Sequence, residues 1–195
     1  LATRPLGLMA TVAGIGMAKA ARVSAALELG RRLGIETREA GRQVTSPADV
    51  QRWCGPLLRD LAVEEFHVLT LDAQNRITRD LLITRGILNS SLVHPREVFR
   101  AAIAEAAASV IVVHNHPSGQ PAPSVDDRAI TAQLVEAGRI LDMPVYDHVI
   151  VGGDGLWNCH VHTNDIGAAI EAGITAGRPE RIRVTDLLEQ VEELE

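Results

Sequence analysis

The apolar run Ser109-Val110-Ile111-Val112-Val113 ends in His114-Asn115-His116 and then gives way to a loop, Pro117-Ser118-Gly119-Gln120-Pro121-Ala122-Pro123. An unbroken run this rich in β-branched residues specifies a short, fully buried strand. Side chains alternate along a strand, so His114 and His116 point the same way. Two imidazoles at that spacing can hold one cation between them. Ser124 and Asp127 open the element after the loop, and the Asp127 carboxylate can supply a third ligand. Three protein ligands with a fourth position left for water is the count of a catalytic zinc site, not a structural one.

The flanking sequence alternates helices with strands. Ser46-Pro47 reads as a helix start, with Ser as N-cap and Pro in the first turn. Gly55-Pro56 is expected to interrupt that helix, which resumes to about Leu61. Phe66 to Leu71 reads as a strand, Asp72 to Asn75 as a turn and Ile77 to Thr84 as a second strand. A helix is predicted from Arg96 to Ala108, with Val98 and Ile103 on its buried face. Another runs from Asp126 to Leu141 and stops at Met143-Pro144, before a strand from Val145 to Val151. This alternation defines an α/β domain over residues 44–151. Hydrophobic residues make up 46% of the chain but aromatics only 3%, so the core must be built from Ala, Val, Leu and Ile. His67, alternating with apolar neighbours, is expected to face away from that core. His148 reads as a hydrogen-bonded core residue or a support for a ligand, and His94 as structural. Asn115 and Ser118 are candidates for orienting the metal loop.

Amide hydrolysis by metal-activated water needs a carboxylate beside the metal to take a proton and pass it to the leaving amine. Glu64 and Glu65, at the entry to the strand Phe66–Leu71, are both candidates, and spacing alone does not separate them. A glutamate, His-x-His, seven residues and Ser-x-x-Asp together resemble the JAMM motif of the MPN metalloproteases. Thr84-Arg85-Gly86, Leu88 to Glu97, His114 to Gly119, Pro123-Ser124 with Asp127, and Asp147-His148 with Ile150 resemble the RadC family. The resemblance implies an MPN (cytidine-deaminase-like) mixed sheet flanked by helices. It implies zinc on His114, His116 and Asp127, Glu65 as general base, and Ser124 as a hydrogen-bond donor to the oxyanion. Ser124-x-x-Asp127 is also a capping box, which settles a helix start whatever else it does.

Residues 1–34 read as a small helical module around a tight turn, Val12 to Gly16, joined by a linker at 35–43. Arg4, Lys19, Arg22, Arg31 and Arg32 face Glu28 alone there, whereas the whole chain is at −6. Gly14, Gly16, Lys19 and Arg22 look like the second half of a helix-hairpin-helix, which offers backbone N–H groups to a DNA phosphate. Beyond Val151 the wording changes. Residues 150–195 resemble a stretch of the fatty-acid kinase A (dihydroxyacetone-kinase-like) family, with a second His-x-His at His160 and His162 and helices at 166–176 and 185–194. Residues 152–195 therefore read as an appended fragment.

No apolar run is long enough to span a bilayer, no signal-peptide pattern opens the chain, and Cys54 and Cys159 lack metal or redox spacing. The expectation is a cytoplasmic zinc hydrolase of peptide or isopeptide bonds, with weak DNA contact through residues 1–34 and no membrane partner. The alternatives are a non-catalytic DNA-associated protein linked to DNA repair, and an accessory fragment related to the kinases.

Overall fold

The structure, a computed structural model, describes residues 6–36, 41–86, 93–153 and 157–161. In chain order it contains α1 (Leu6–Met9), α2 (Met17–Glu36), α3 (Pro47–Leu58), β1 (Glu65–Leu71), β2 (Ile77–Arg85) and α4 (Pro95–Ala104). These are followed by β3 (Ser109–Asn115), α5 (Val125–Ile140), β4 (Val145–Val151) and β5 (Trp157–Val161). The strands form one mixed sheet in the order β2-β1-β3-β4-β5. Among the described residues, only the β3–β4 pair is parallel, and α5 makes the crossover between them.

Strand alternation divides the sheet into two apolar faces. Phe66, Val68, Val110 and Val112 pack with Val98, Phe99 and Ala102 of α4 and with Ile130 and Leu134 of α5. Leu69, Leu71, Ile111, Val113, Val149 and Val151 pack on the other face against Val50, Trp53, Cys54 and Leu58 of α3. Every residue of β3 is buried, as an unbroken β-branched run sandwiched between layers must be. A register shift between Val110 and Ile111 pairs Val145 with Val110 but Asp147 with Ile111. The bulge at Tyr146 thereby changes which residues of β4 face α5, and it puts His148 on the same face as Val112 and His114.

Several boundaries differ from the sequence expectation. Gly55 and Pro56 lie inside α3, which runs unbroken to Leu58. The apolar stripe Val50, Trp53, Cys54, Leu58 docks on the sheet through that point, and tertiary packing sustains a helix that propensity alone would break. Helix α4 ends at Ala104, not Ala108. Ala106 takes a positive φ of 52°, and the N–H groups of Ala106 and Ala107 return to Ile103 and Ala102, a Schellman close. Ile103 is 55% exposed; Phe99 and Ala102 complete the buried face in its place. His94 is the N-cap of α4, its Nδ1 accepting from the Arg96 N–H at 3.1 Å. Strand β3 continues two residues past Val113 and so includes His114 and Asn115. His67 is buried rather than solvent-facing, at 8% exposure.

At the other end, β5 pairs antiparallel with β4 and forms that edge of the sheet. The helices expected at 166–176 and 185–194, and His162, lie outside the described residues. Among the described residues, no helix is long and apolar enough to cross a membrane.

Candidate metal centre

His114 and His116 lie at and just past the end of β3, and Asp127 lies in the first turn of α5. Their ligand atoms meet. His114 Nε2 and His116 Nε2 are 2.9 Å apart, His114 Nε2 is 3.2 Å from Asp127 Oδ1, and His116 Nε2 is 3.3 Å from Asp127 Oδ2. Tetrahedral zinc with bonds of about 2.0–2.1 Å spaces its ligands about 3.3 Å apart. The three side chains therefore already present donor atoms at close to that spacing, His114 against one carboxylate oxygen of Asp127 and His116 against the other.

The hydrogen bonds around the rings decide where the imidazole protons sit. Thr131 Oγ1 donates to the Asp127 carbonyl, so it must accept from His148 Nδ1, 2.6 Å away. That leaves a lone pair on His148 Nε2, which accepts from His114 Nδ1 at 2.8 Å. His116 Nδ1 donates to the Gln120 carbonyl at 2.7 Å. When their rings are neutral, both His114 and His116 thus keep the hydrogen on Nδ1 and present a lone pair on Nε2. Two lone pairs and a carboxylate converging at about 3 Å repel one another unless a proton or a metal ion lies between them. The donor set fits a divalent metal, with His148, Thr131 and Gln120 as the outer partners that orient ligating histidines.

The titration behaviour carries the same sign. Burial pushes the Asp127 pKa up, but the imidazoles of His114 and His116, with Ser124, outweigh it and hold the carboxyl far below the usual carboxylate range. The bond to Asp127 raises the His116 pKa against the opposing effect of burial. The Gln120 carbonyl and the charges of Asp127 and Glu64 add to the rise. Every charged neighbour of His116 named here favours positive charge.

The local sequence explains the rigidity. The capping box at the start of α5 is reciprocal: Ser124 N–H donates to Asp127 Oδ2 at 2.7 Å and Asp127 N–H to Ser124 Oγ at 3.0 Å. It settles the helix start and aims the carboxylate in the same stroke. Ser124 Oγ acts only as an acceptor in that pair, which leaves its hydroxyl hydrogen for another acceptor. Phe66 stacks on the His114 ring with centroids 5.9 Å apart. The loop after His116 is tied to the end of β4: His116 N–H donates to Val151 O and Gly153 N–H to Gly119 O. A Cβ at Gly152 would come within 2.7 Å of the Gly119 carbonyl, so only glycine lets the two segments approach. Ser118 Oγ accepts from the Gln120 N–H at 3.3 Å, bracing the residue whose carbonyl orients His116.

The structure separates the two glutamates. Glu65, the base implied by the RadC resemblance, shares a face with His67, Leu69 and Leu71, which is the α3 side of the sheet. Its carboxylate is engaged there by His67 Nε2 at 3.2 Å and Arg85 Nε at 3.0 Å. Phe66 is the cross-strand partner of His114, so the histidine face is that of Phe66 and Val68. Glu64, one residue before the strand, falls on that face by alternation, and its charge acts on His116. By strand parity Glu65 is one residue out of phase with the His114 face, and the pairing of Phe66 with His114 is what sets that phase.

Of the DNA candidates, Gly14 (φ 81°) and Gly16 lie in the turn between α1 and α2. Lys19 folds its ammonium back onto the Gly14 carbonyl at 3.0 Å, and Arg22 is exposed on α2. The structure brings the four to one end of α2, away from the metal site in sequence and in element.

A helix-flanked mixed sheet with a His-x-His…Asp centre at the mouth of a parallel strand pair is the JAB/MPN fold carrying a group that could hold a metal ion. A family model described as RadC-like JAB domain matches residues 44–161, and the chain belongs to that family. A second model, the middle domain of fatty-acid-kinase-A-like proteins, matches residues 147–194. A UPF0758 protein of Caldanaerobacter subterraneus subsp. tengcongensis is 51% identical over 144 residues, 74% of this chain and 62% of the relative. A UPF0758 protein of Methanosarcina mazei is 48% identical over 141 residues, 72% of this chain and 62% of the relative. The chain thus spans about 62% of the length of these relatives.

Proposed function

We propose that the chain is a zinc-dependent hydrolase of peptide or isopeptide bonds. The observation that carries this reading is the convergence of ligand atoms from His114, His116 and Asp127, on the face where Glu64 stands. A bound zinc ion would supply a water activated near neutral pH and a Lewis acid for the scissile carbonyl. Glu64 takes the proton of the attacking water and returns it to the leaving nitrogen. Ser124, exposed at the rim with its hydroxyl hydrogen uncommitted to the capping box, donates to the developing oxyanion. His148 and Thr131 keep the His114 proton on Nδ1 and so keep Nε2 available as a ligand.

The test pairs the two adjacent glutamates. Glu64→Gln is expected to retain one zinc per chain and to lower hydrolysis of isopeptide-linked and linear peptide panels by at least about 100-fold, the usual scale for losing a general base. Glu65→Gln retains zinc and most of the turnover. Equal turnover in Glu64→Gln and the parent would remove Glu64 from the reaction. Absence of hydrolysis by the zinc-loaded parent on every panel, with salt-dependent DNA binding through Lys19 and Arg22, would favour the non-catalytic DNA-associated reading.

A further inference from the structure

Asn115 sits between two metal-binding histidines, yet its side chain belongs to the opposite face of β3. It is 1% exposed, and its carboxamide does not enter the metal site. Oδ1 accepts from the Glu65 backbone N–H at 2.8 Å, and Nδ2 donates to the Val63 carbonyl at 3.0 Å. A backbone N–H only donates and a carbonyl only accepts, so the two ends of the amide are fixed. The two groups it holds are the ones on either side of Glu64.

The main-chain pairing of β1 with β3 explains why a side chain is needed there. That pairing ends at Phe66 and His114, and the His116 N–H has already turned to Val151 on β4. The strands part beside the metal site, and the Asn115 carboxamide spans the gap where ladder bonds would otherwise run. On the other side the Glu64 carbonyl accepts from the Gly86 N–H at 2.9 Å. The β1–β2 register is irregular just beyond, with a shift between Phe66 and His67. A slip of one residue inverts every side chain of a strand, and here it would exchange Glu64 for Glu65 at the metal site.

We infer that Asn115 is a positioning residue, clamping the backbone on both sides of Glu64 so that this glutamate, and not its neighbour, faces the metal. The inference rests on the reading of Glu64 as the base, and its test separates the two. The intact chain is loaded with Co(II) alone and its visible spectrum followed against pH. Amide exchange at Glu65 is measured in parallel.

Glu64→Gln should move the midpoint of the spectral transition by about one pH unit, the scale expected of a neighbouring carboxylate. Asn115→Ala should move it in the same direction by at least about half as much, and the double variant no further than Glu64→Gln. Asn115→Ser, whose hydroxyl is too short to reach both backbone groups, should behave like the alanine variant and guards against a folding failure. All variants should bind one Co(II), and both Asn115 variants should lose protection at the Glu65 amide while keeping it at Val68 and Val112. A parental midpoint in both Asn115 variants, with a displaced midpoint in Glu64→Gln, would overturn the clamp and leave the base in place. A parental midpoint in Glu64→Gln would overturn the base, and the clamp with it.

Discussion

Thr131 shows how much a single hydroxyl can decide. It donates to the Asp127 carbonyl and receives from His148, so one side chain sets the direction of a relay that ends on the His114 lone pair. Replacing it with valine removes the acceptor for the His148 Nδ1 hydrogen but keeps the shape. His148 then gains by moving its hydrogen to Nε2, which reverses its bond to His114 and protonates the nitrogen the metal needs. Thr131→Val should therefore weaken zinc binding about 10-fold, at the low end of the range for outer partners of metal ligands. Competition with a chelator of known affinity reads this directly. Affinity equal to the parent would mean that the relay does not control the His114 tautomer. Thr131 was illegible in the sequence: nothing in Ile130-Thr131-Ala132 distinguishes it until α5 is laid against β4.

The elements themselves were largely written in local patterns, and the exceptions share a cause. The grouping of His114, His116 and Asp127 was legible because a strand fixes the i, i+2 relation and a capping box fixes the start of α5. Which of Glu64 and Glu65 faces the candidate metal site was not, because a choice between adjacent residues depends on which face of β1 meets β3, a long-range fact. Pro56 in α3 and the early end of α4 failed for the same reason: packing against the sheet decided both. The close of α4 makes a clean prediction. Ala106 holds φ at 52° at the position where helices favour glycine, and a left-handed conformation costs a non-glycine residue about 1–2 kcal/mol. Part of that is returned by the lower unfolded-state entropy of alanine. Ala106→Gly should raise unfolding stability by about 0.5–1 kcal/mol, measured as a shift in the urea midpoint at constant m-value. A destabilised variant would show that the close is held by contacts of the Ala106 methyl and not by backbone geometry.

At the scale of the whole molecule, the sheet separates two polar centres, the candidate metal site on the α4–α5 face and an ion cluster on the α3 face, with Glu64 and Glu65 as their adjacent outposts. The cluster is a pH-sensitive part of the fold. Burial pushes the His67 pKa down, but hydrogen bonds and charge from Asp80 and Glu65 outweigh it and raise it above the ordinary 6.5. His67 Nδ1 lies 2.7 Å from Asp80 and Nε2 3.2 Å from Glu65, and both bonds can be donated at once only by the imidazolium. A group whose folded pKa is raised contributes stability that is complete below its unfolded pKa and declines as pH climbs through the folded one. The contribution of His67 is therefore full below about pH 6.5 and drains away above it. Neutralising the ring leaves one of its two nitrogens without a hydrogen to offer a buried carboxylate. His67→Gln, which bridges at most one acid and carries no charge, should be less stable than the parent at about pH 6, with the deficit narrowing steadily toward about pH 9. Urea titrations of both proteins across that range, in the presence of a chelator so that the metal site does not contribute, measure the difference. A deficit independent of pH would mean that His67 is neutral throughout and that the two carboxylates are held by Arg85 and the backbone instead.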